Sequence, residues 1–356
     1  MTALIDSPEV PEVPDDPQPV GEGASVTRTV PIAEPDAAPR PPMSRRRLGF
    51  FIAAWVVMVL VCLTLVLYAL EPLFVQQTQD QLLSSYTTKI SNAANETSGL
   101  AGVSVPTKAP EPGAPVAILE IGALHLRQVV VEGSTSTLTQ KGPGHVVGSA
   151  APGQPGNSAV IGRRAMFGGP FADLTRLQTG DEILVTTTQG QSVYRVDTVD
   201  TKAIVPAAVT SSPNSSLSGL TATGGSGAAA VDDATIDTDA LFGPSDNDRL
   251  TLLTSDSASP WNASRAVVVV AVLDGKPFPP TPQGGRTDSQ TGLSGDPSAR
   301  AAVALALLAL GATAAAAIFL YRRSSARTAY RLTTPPLLVF VVLLAEAGSK
   351  LLPAWS

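Results

Sequence analysis

Two uncharged apolar runs constrain this 356-residue chain more than any other feature. Leu48 to Leu70 is 23 residues without a charge, and Ala301 to Tyr321 is another 21. At about 1.5 Å per helical residue, each is long enough to cross a hydrocarbon core of about 30 Å. A third run, Leu332 to Ala345, has 14 uncharged residues, and it reaches spanning length only by continuing past Glu346 to about Leu352. Arg45, Arg46 and Arg47 precede the first run, and Arg322, Arg323, Arg327 and Arg331 separate the second from the third. Such arginine clusters mark the cytoplasmic side. The sequence therefore predicts spans at 45–71, 300–321 and 332–353, a cytoplasmic N-terminus, a cytoplasmic loop at 322–331 and an extracytoplasmic segment of roughly 72–299. The first run begins after 47 residues and exceeds the 7–15 apolar residues of a cleaved signal, so it reads as a retained anchor.

Charge and cysteine usage narrow the chemistry. A net charge of −6 argues against nucleic acid as a partner. The single cysteine, Cys62, falls inside the first run, so the external segment has no disulfide and no thiolate nucleophile. No His, Asp and Glu cluster has metal-ligand spacing, and no glycine-rich loop carries a phosphate-binding lysine. Neither a metal nor another cofactor is expected.

Residues 1–44 form an acidic, Pro-rich stretch with few large apolar side chains, the composition of a disordered cytoplasmic tail. In 72–114 a stalk helix is predicted over Gln76–Asn95, where Leu82, Leu83, Tyr86, Ile90, Ala93 and Ala94 recur at helical spacing. A Gly/Pro/Ser linker follows it. From Pro115 the pattern changes to short β-rich runs: 116–121, 126–132, 158–162, 182–188, 192–199, 202–205, 249–254 and 266–273. Gln189-Gly190 suits a hairpin turn between the fourth and fifth, and 170–174 suits a single helical turn. Eight short strands with little helix predict a mainly β fold, a closed eight-stranded barrel over 115–275. Within it, the Ser/Gly/Ala/Asp-rich stretch 208–247 reads as a long flexible loop, and 276–299 as a linker back to the membrane.

The chemistry-bearing residues cluster around NSAVIGRRAMFGGPF (157–171), a strand that ends in two arginines beside a glycine-rich turn. The external segment holds two histidines. His125, in GALHLRQ, reads as a surface residue at a strand start. His145, in KGPGHVVG, reads as turn-stabilising, with lining a groove as the alternative. The stretch from VAILEIG through KGPGHVVG, PGQPGNSAVIGRR and FGGPF to TGDEILV, followed by RLTLLTSDSASPWNASRAVVVV, resembles the sortase family over about 115–273. Sortases are extracytoplasmic cysteine transpeptidases of Gram-positive bacteria that join proteins to the cell wall.

The resemblance implies the sortase barrel, and it implies that Arg163 occupies the place of the catalytic histidine and Ser255 that of the nucleophilic cysteine. Arg265 would correspond to the transition-state arginine. An arginine does not exchange its proton near neutral pH, and a serine needs a general base close by. The expectation is therefore a catalytically inactive, membrane-anchored relative that acts as a binding or scaffolding module at the cell envelope. Its partners would be the lipid bilayer, an extended peptide or sorting signal, and envelope or membrane proteins. Groove residues would be His145, Arg164 and Asp256, with Arg163 or Arg164 paired to Asp256. The alternative is a transpeptidase or hydrolase using Ser255, with His145 as base and Arg265 stabilising the oxyanion. In the third run, Glu346 and Lys350 share a helix face four residues apart. An 18-to-6 excess of arginine over lysine, with abundant Ala, Gly, Pro and Val, fits a GC-rich actinobacterial genome.

Overall fold

The computed structural model describes residues 45–67, 71–97, 106–204, 235–236, 241–263, 265–285, 292–323 and 326–356. The tail 1–44 and most of the predicted loop 208–247 lie outside these residues. Among the described residues, helices α1 (Arg45–Leu65) and α2 (Glu71–Thr97) precede nine strands. These are β1 (Pro115–Ile121), β2 (Leu126–Glu132), β3 (Gly144–His145), β4 (Asn157–Ile161), β5 (Glu182–Thr187), β6 (Gly190–Ile204), β7 (Thr235–Ile236), β8 (Arg249–Ser255) and β9 (Arg265–Asp274). Helices α3 (Ala299–Arg323) and α4 (Ala326–Lys350) follow.

The strands form one sheet in the order β5-β1-β2-β3-β4-β8-β9-β6-β7, and a further β5–β6 pairing closes eight of them into a barrel with β7 outside the ring. Closure leaves the ring no free edge, so its strands are paired on both sides. The predicted runs 192–199 and 202–205 are one strand, β6, whose register shifts between Val196 and Thr198. That bulge falls inside the first run; at the gap between the two runs, Asp200-Thr201, the pairing with β9 is uninterrupted. The β5–β6 hairpin closes at Thr187 and Gly190, so its turn is Thr188-Gln189 rather than Gln189-Gly190. The helical turn predicted at 170–174 forms slightly later, at Leu174–Arg176.

Period-two alternation sorts the core into two faces. Val160 of β4, Leu250 and Leu252 of β8, and Val267 and Val269 of β9 point into the barrel with Leu119, Phe171 and Tyr194. Their neighbours Ala159, Ile161, Leu253, Ala266 and Val268 form a second buried cluster on the outer face, covered by Leu241, Phe242, Ala354 and Trp355. The β4–β8–β9 unit is thus buried on both faces, which accounts for the unbroken Val267–Val270 run. Part of the predicted flexible loop, Leu241-Phe242, belongs to this core.

The helices are not remote appendages. The predicted stalk α2 lies on the barrel, packing Tyr86 against Ile118 and Val129. Gln79 closes that contact, accepting from Val129 N (2.8 Å) and donating to Lys141 O (2.6 Å). The predicted linker at 276–299 is also docked, through Phe278 N to Gly153 O (2.8 Å) and Thr281 N to Gln154 Oε1 (2.9 Å). Ala299–Arg323 and Thr328–Lys350 are long and apolar enough to cross a membrane, whereas the apolar part of α1, Gly49–Leu65, is shorter. Phe51 and Trp55 of α1 pack with Ala317, Leu337 and Val341. Phe51 stacks on Tyr321 with ring centroids 4.2 Å apart. Two expectations change here. The loop predicted at 322–331 is largely helix, because α3 runs to Arg323 and α4 starts at Ala326; and α4 ends at Lys350, so Leu351–Ser356 leaves the helix.

Replacing Gln79 by Ala strands the Val129 amide, a buried donor, beneath α2. It should lower the unfolding free energy by about 1–3 kcal/mol, measured in detergent by denaturant titration, with faster hydrogen exchange confined to β2 and α2.

Candidate functional site

Strands β4 and β8 run parallel, pairing Asn157 with Arg249 through Ile161 with Leu253. Parallel pairing brings both C-terminal ends to one edge of the barrel, so Arg163 and Arg164 emerge beside Ser255. The pairing extends one step further, from Gly162 N to Leu253 O (3.0 Å). A side chain at Gly162 would run into the Phe171 ring, which is why the strand ends in glycine. The loop then turns through Phe167, held at φ 55°, a conformation that disfavours a bulky residue. Its ring packs with Met166, Leu352, Leu67 and Val75.

Arg163 is fully buried. Its Nη2 donates to Ser136 O (2.9 Å), Ser136 Oγ (2.8 Å) and Ser349 O (3.4 Å), and its Nη1 to Ser356 Oγ (3.5 Å). The guanidinium lies 5.0 Å from the Phe167 ring centroid, within cation–π reach. Burial pulls its pKa down to about 10, with the Glu71 charge opposing. Arg163 is therefore cationic throughout the neutral range, and any pH dependence of stability that it brings is confined to strongly alkaline solution, where the unfolded chain would hold the proton longer and stability would rise with pH.

Among the described residues, neither Arg163 nor Arg164 forms an ion pair within 4.0 Å of a carboxylate. The expected bridge to Asp256 is absent for two reasons. Arg163 is turned toward Ser136 and the end of α4, and Arg164 donates from Nη1 to Ser255 O (3.2 Å). Asp256 faces Arg265 instead, with Nε 4.0 Å from Oδ2. Arg265 also donates to Thr201 O (3.4 Å).

Ser255 is fully buried. Its Oγ accepts from Ser257 N (3.1 Å), and its own N–H donates to Trp355 O (2.8 Å). The segment that covers it is Leu352–Ser356, of which only Leu352 and Pro353 fall within the predicted third span. It is a tight turn, closed by Ser356 N on Pro353 O (3.3 Å), between the barrel and the stretch of chain before α3. Ala354 N donates to Gly292 O (2.9 Å), Arg164 N to Ser356 O (3.3 Å), and Trp355 Nε1 to Leu293 O (3.3 Å). The sequence signal for it was an aromatic, charge-free stretch continuing beyond Lys350.

His145 is not part of this groove. It is fully buried, with Nδ1 2.9 Å from Glu132 Oε2 and Nε2 2.9 Å from Ala150 O and 3.0 Å from Ser149 Oγ. Glu132, His145 and Ser149 thus have the spacing of a catalytic triad. The Ala150 carbonyl can only accept, however, so Nε2 carries the proton and has no lone pair for Ser149. Ser149 Oγ donates to Val146 O (2.7 Å). The constellation ties the β3 loop to β2. His125, by contrast, is exposed in a left-handed turn (φ 51°). Glu346 and Lys350 do pair, at 2.9 Å.

The eight-stranded barrel thus mounts polar side chains at the edge where the parallel strands β4 and β8 end. Residues 119–274 match the family model of the sortase domain. Among solved structures, the chain is similar to the sortase D5 transpeptidase of Clostridium perfringens, at 20% identity over 56% of this chain and 99% of that one, with a TM-score of 0.40. It is also similar to sortase E of Streptomyces avermitilis, at 26% identity over 47% and 93% of the two chains and a TM-score of 0.32. Sortase A of Corynebacterium diphtheriae follows at 14% identity, 57% and 91% coverage and a TM-score of 0.35. No curated protein matches the chain.

If His145 is structural, His145→Ala leaves the Glu132 carboxylate buried without its partner. The expected loss is about 3–5 kcal/mol of stability, read by denaturant titration, whereas a dispensable groove histidine would leave the unfolding midpoint unchanged.

Proposed function

We propose that this chain is a membrane-anchored sortase-family protein without transpeptidase activity, working at the cell envelope as a binding or scaffolding module. The observation that carries the reading is the burial of Ser255 under the chain's own Leu352–Ser356 segment, with Arg163 locked beside it. In the family correspondence, Ser255 stands at the nucleophile's position and Arg163 at the histidine's. A cationic guanidinium cannot deprotonate a hydroxyl. The one cysteine of the sequence, Cys62, belongs to α1 and packs among the helices. The alternative, with Ser255 as nucleophile and His145 as base, gains no support from the hydrogen bonding, since the ring nitrogens of His145 are engaged by Glu132 and Ala150.

The reading includes a multi-pass anchor with α1, α3 and α4 in the membrane, the N-terminus in the cytoplasm and the barrel outside. In its favour, the Phe51–Tyr321 and Phe51–Tyr330 contacts bring the start of α1 to the α3–α4 junction. Arg46, Arg322, Arg323 and Arg331 collect at that end, all exposed, in accord with the positive-inside rule. At the other end, Ser349 bonds to Gln140 (3.0 Å) and Lys350 O accepts from Asp296 N (2.8 Å). Neighbouring membrane proteins and extended peptides are the partners this arrangement suits, and an actinobacterial, Gram-positive envelope is its setting.

The test is turnover. The full chain in lipid nanodiscs, incubated with a sorting-signal peptide and an amine acceptor, should give no cleavage or transfer product by mass spectrometry, and Ser255→Ala should be indistinguishable from the parent. Product formation that disappears in Ser255→Ala would overturn the proposal.

A further inference from the structure

We infer that the outer face at the ends of β4 and β8 is a peptide-receiving surface, that Leu352–Ser356 is its resting occupant in cis, and that in trans it takes a segment able to make the same turn and presenting a small residue, then an aromatic one, then a hydroxyl side chain. The inference deepens the non-catalytic reading of the groove and rests on it.

The segment is bound as a ligand would be. Its backbone is held from two sides, by Ser255 N on Trp355 O (2.8 Å) and Arg164 N on Ser356 O (3.3 Å) from the barrel, and by Gly292 O on Ala354 N (2.9 Å) from the opposite wall. Main-chain pairing of this kind supplies affinity without demanding a particular sequence, and side-chain pockets supply the selection. Here the pocket is explicit. Trp355 is 4% exposed, among Val146, Ala159, Ile161, Leu253, Ala266 and Val268. Its indole N–H reaches Leu293 O (3.3 Å). Ala354 is fully buried, and its methyl group faces Gly292, where an added Cβ would lie 3.0 Å from it. Ser356 Oγ accepts from Arg163 Nη1 (3.5 Å).

Arg163 latches this occupant. Its guanidinium bridges the barrel, through Ser136, and the end of α4 with its extension, through Ser349 O and Ser356 Oγ. Ser136 Oγ donates onward to Leu352 O (2.7 Å). The occupant is tethered to α4 only through Leu351, so it competes with any free peptide at an effective concentration of order millimolar. A peptide in trans is therefore held off by the chain itself, and events that weaken the latch or draw α4 away would admit it.

A fluorescein-labelled Leu-Pro-Ala-Trp-Ser peptide tests this by anisotropy on the full chain in nanodiscs. Binding should be weak to the parent and at least about tenfold tighter to Trp355→Ala and to a chain ending at Leu351, and it should be lost when the peptide's own tryptophan is alanine. Equal affinity for the parent and both variants, or no binding to variants whose β4 and β8 amides keep the parent's hydrogen exchange, would overturn the inference. Should both variants fail to fold, the parent decides: excess unlabelled peptide should speed exchange of the Ala354 and Trp355 amides, and unchanged exchange refutes cis occupancy. Cleavage of the probe, seen as a mass change, would count for the receiving surface and against the non-catalytic reading, so the two failures are distinguishable.

Discussion

The arrangement hinges on a single buried cation. Arg163 lies at the end of β4 with no exposure to solvent and no ion pair within 4.0 Å among the described residues. Neutral acceptors satisfy its two terminal nitrogens and the Glu71 charge favours the cation, while Nε has no hydrogen-bond partner among the described residues. Those acceptors come from three separate parts of the chain: Ser136 in the β2–β3 connection, Ser349 in the last turn of α4, and Ser356. One residue thereby obliges the barrel, the last helix and the extension beyond it to meet. With that junction closed, Ser255 lies underneath it, and the apolar outer face of β4, β8 and β9 has its cover.

This constraint also explains why the barrel and the helices form one unit. Leu67 at the end of α1, Val75 of α2, Met166 and Phe167 of the strand-end loop and Leu352 share a cluster. The edge of the groove and the helices are thus joined through packed side chains. The same contacts put the groove next to the helix ends.

Much of the barrel was legible because closed sheets impose period-two alternation bounded by turns. β1, β2, β4, β5, β8 and β9 fall within a residue or two of their predicted runs. β3 was missed because a two-residue strand, Gly144–His145, carries no periodicity. β6 was split at Asp200-Thr201, two polar residues through which the strand continues in regular pairing with β9. The arginines and Ser255 were recognisable as a mounted site, but not their partners. A sequence displays which side chains need satisfying and not which distant acceptors will do it, so Asp256 was chosen for its charge and proximity along the chain. The C-terminal segment was missed for a related reason. Its apolar residues extend a membrane-like run, and hydropathy alone cannot distinguish burial in lipid from burial against a barrel. The unbroken valines of β9 were the available hint, since a strand apolar on both faces requires an outer cover.

The account's central claim is that Trp355 resides in the groove. A full chain carrying Trp55→Phe and Trp261→Phe retains Trp355 as its sole tryptophan. In nanodiscs, its fluorescence should be blue-shifted and resist quenching by acrylamide, and Arg163→Ala should make it quenchable. Emission typical of water-exposed indole in the Arg163-containing chain, with full access to acrylamide, would contradict the account.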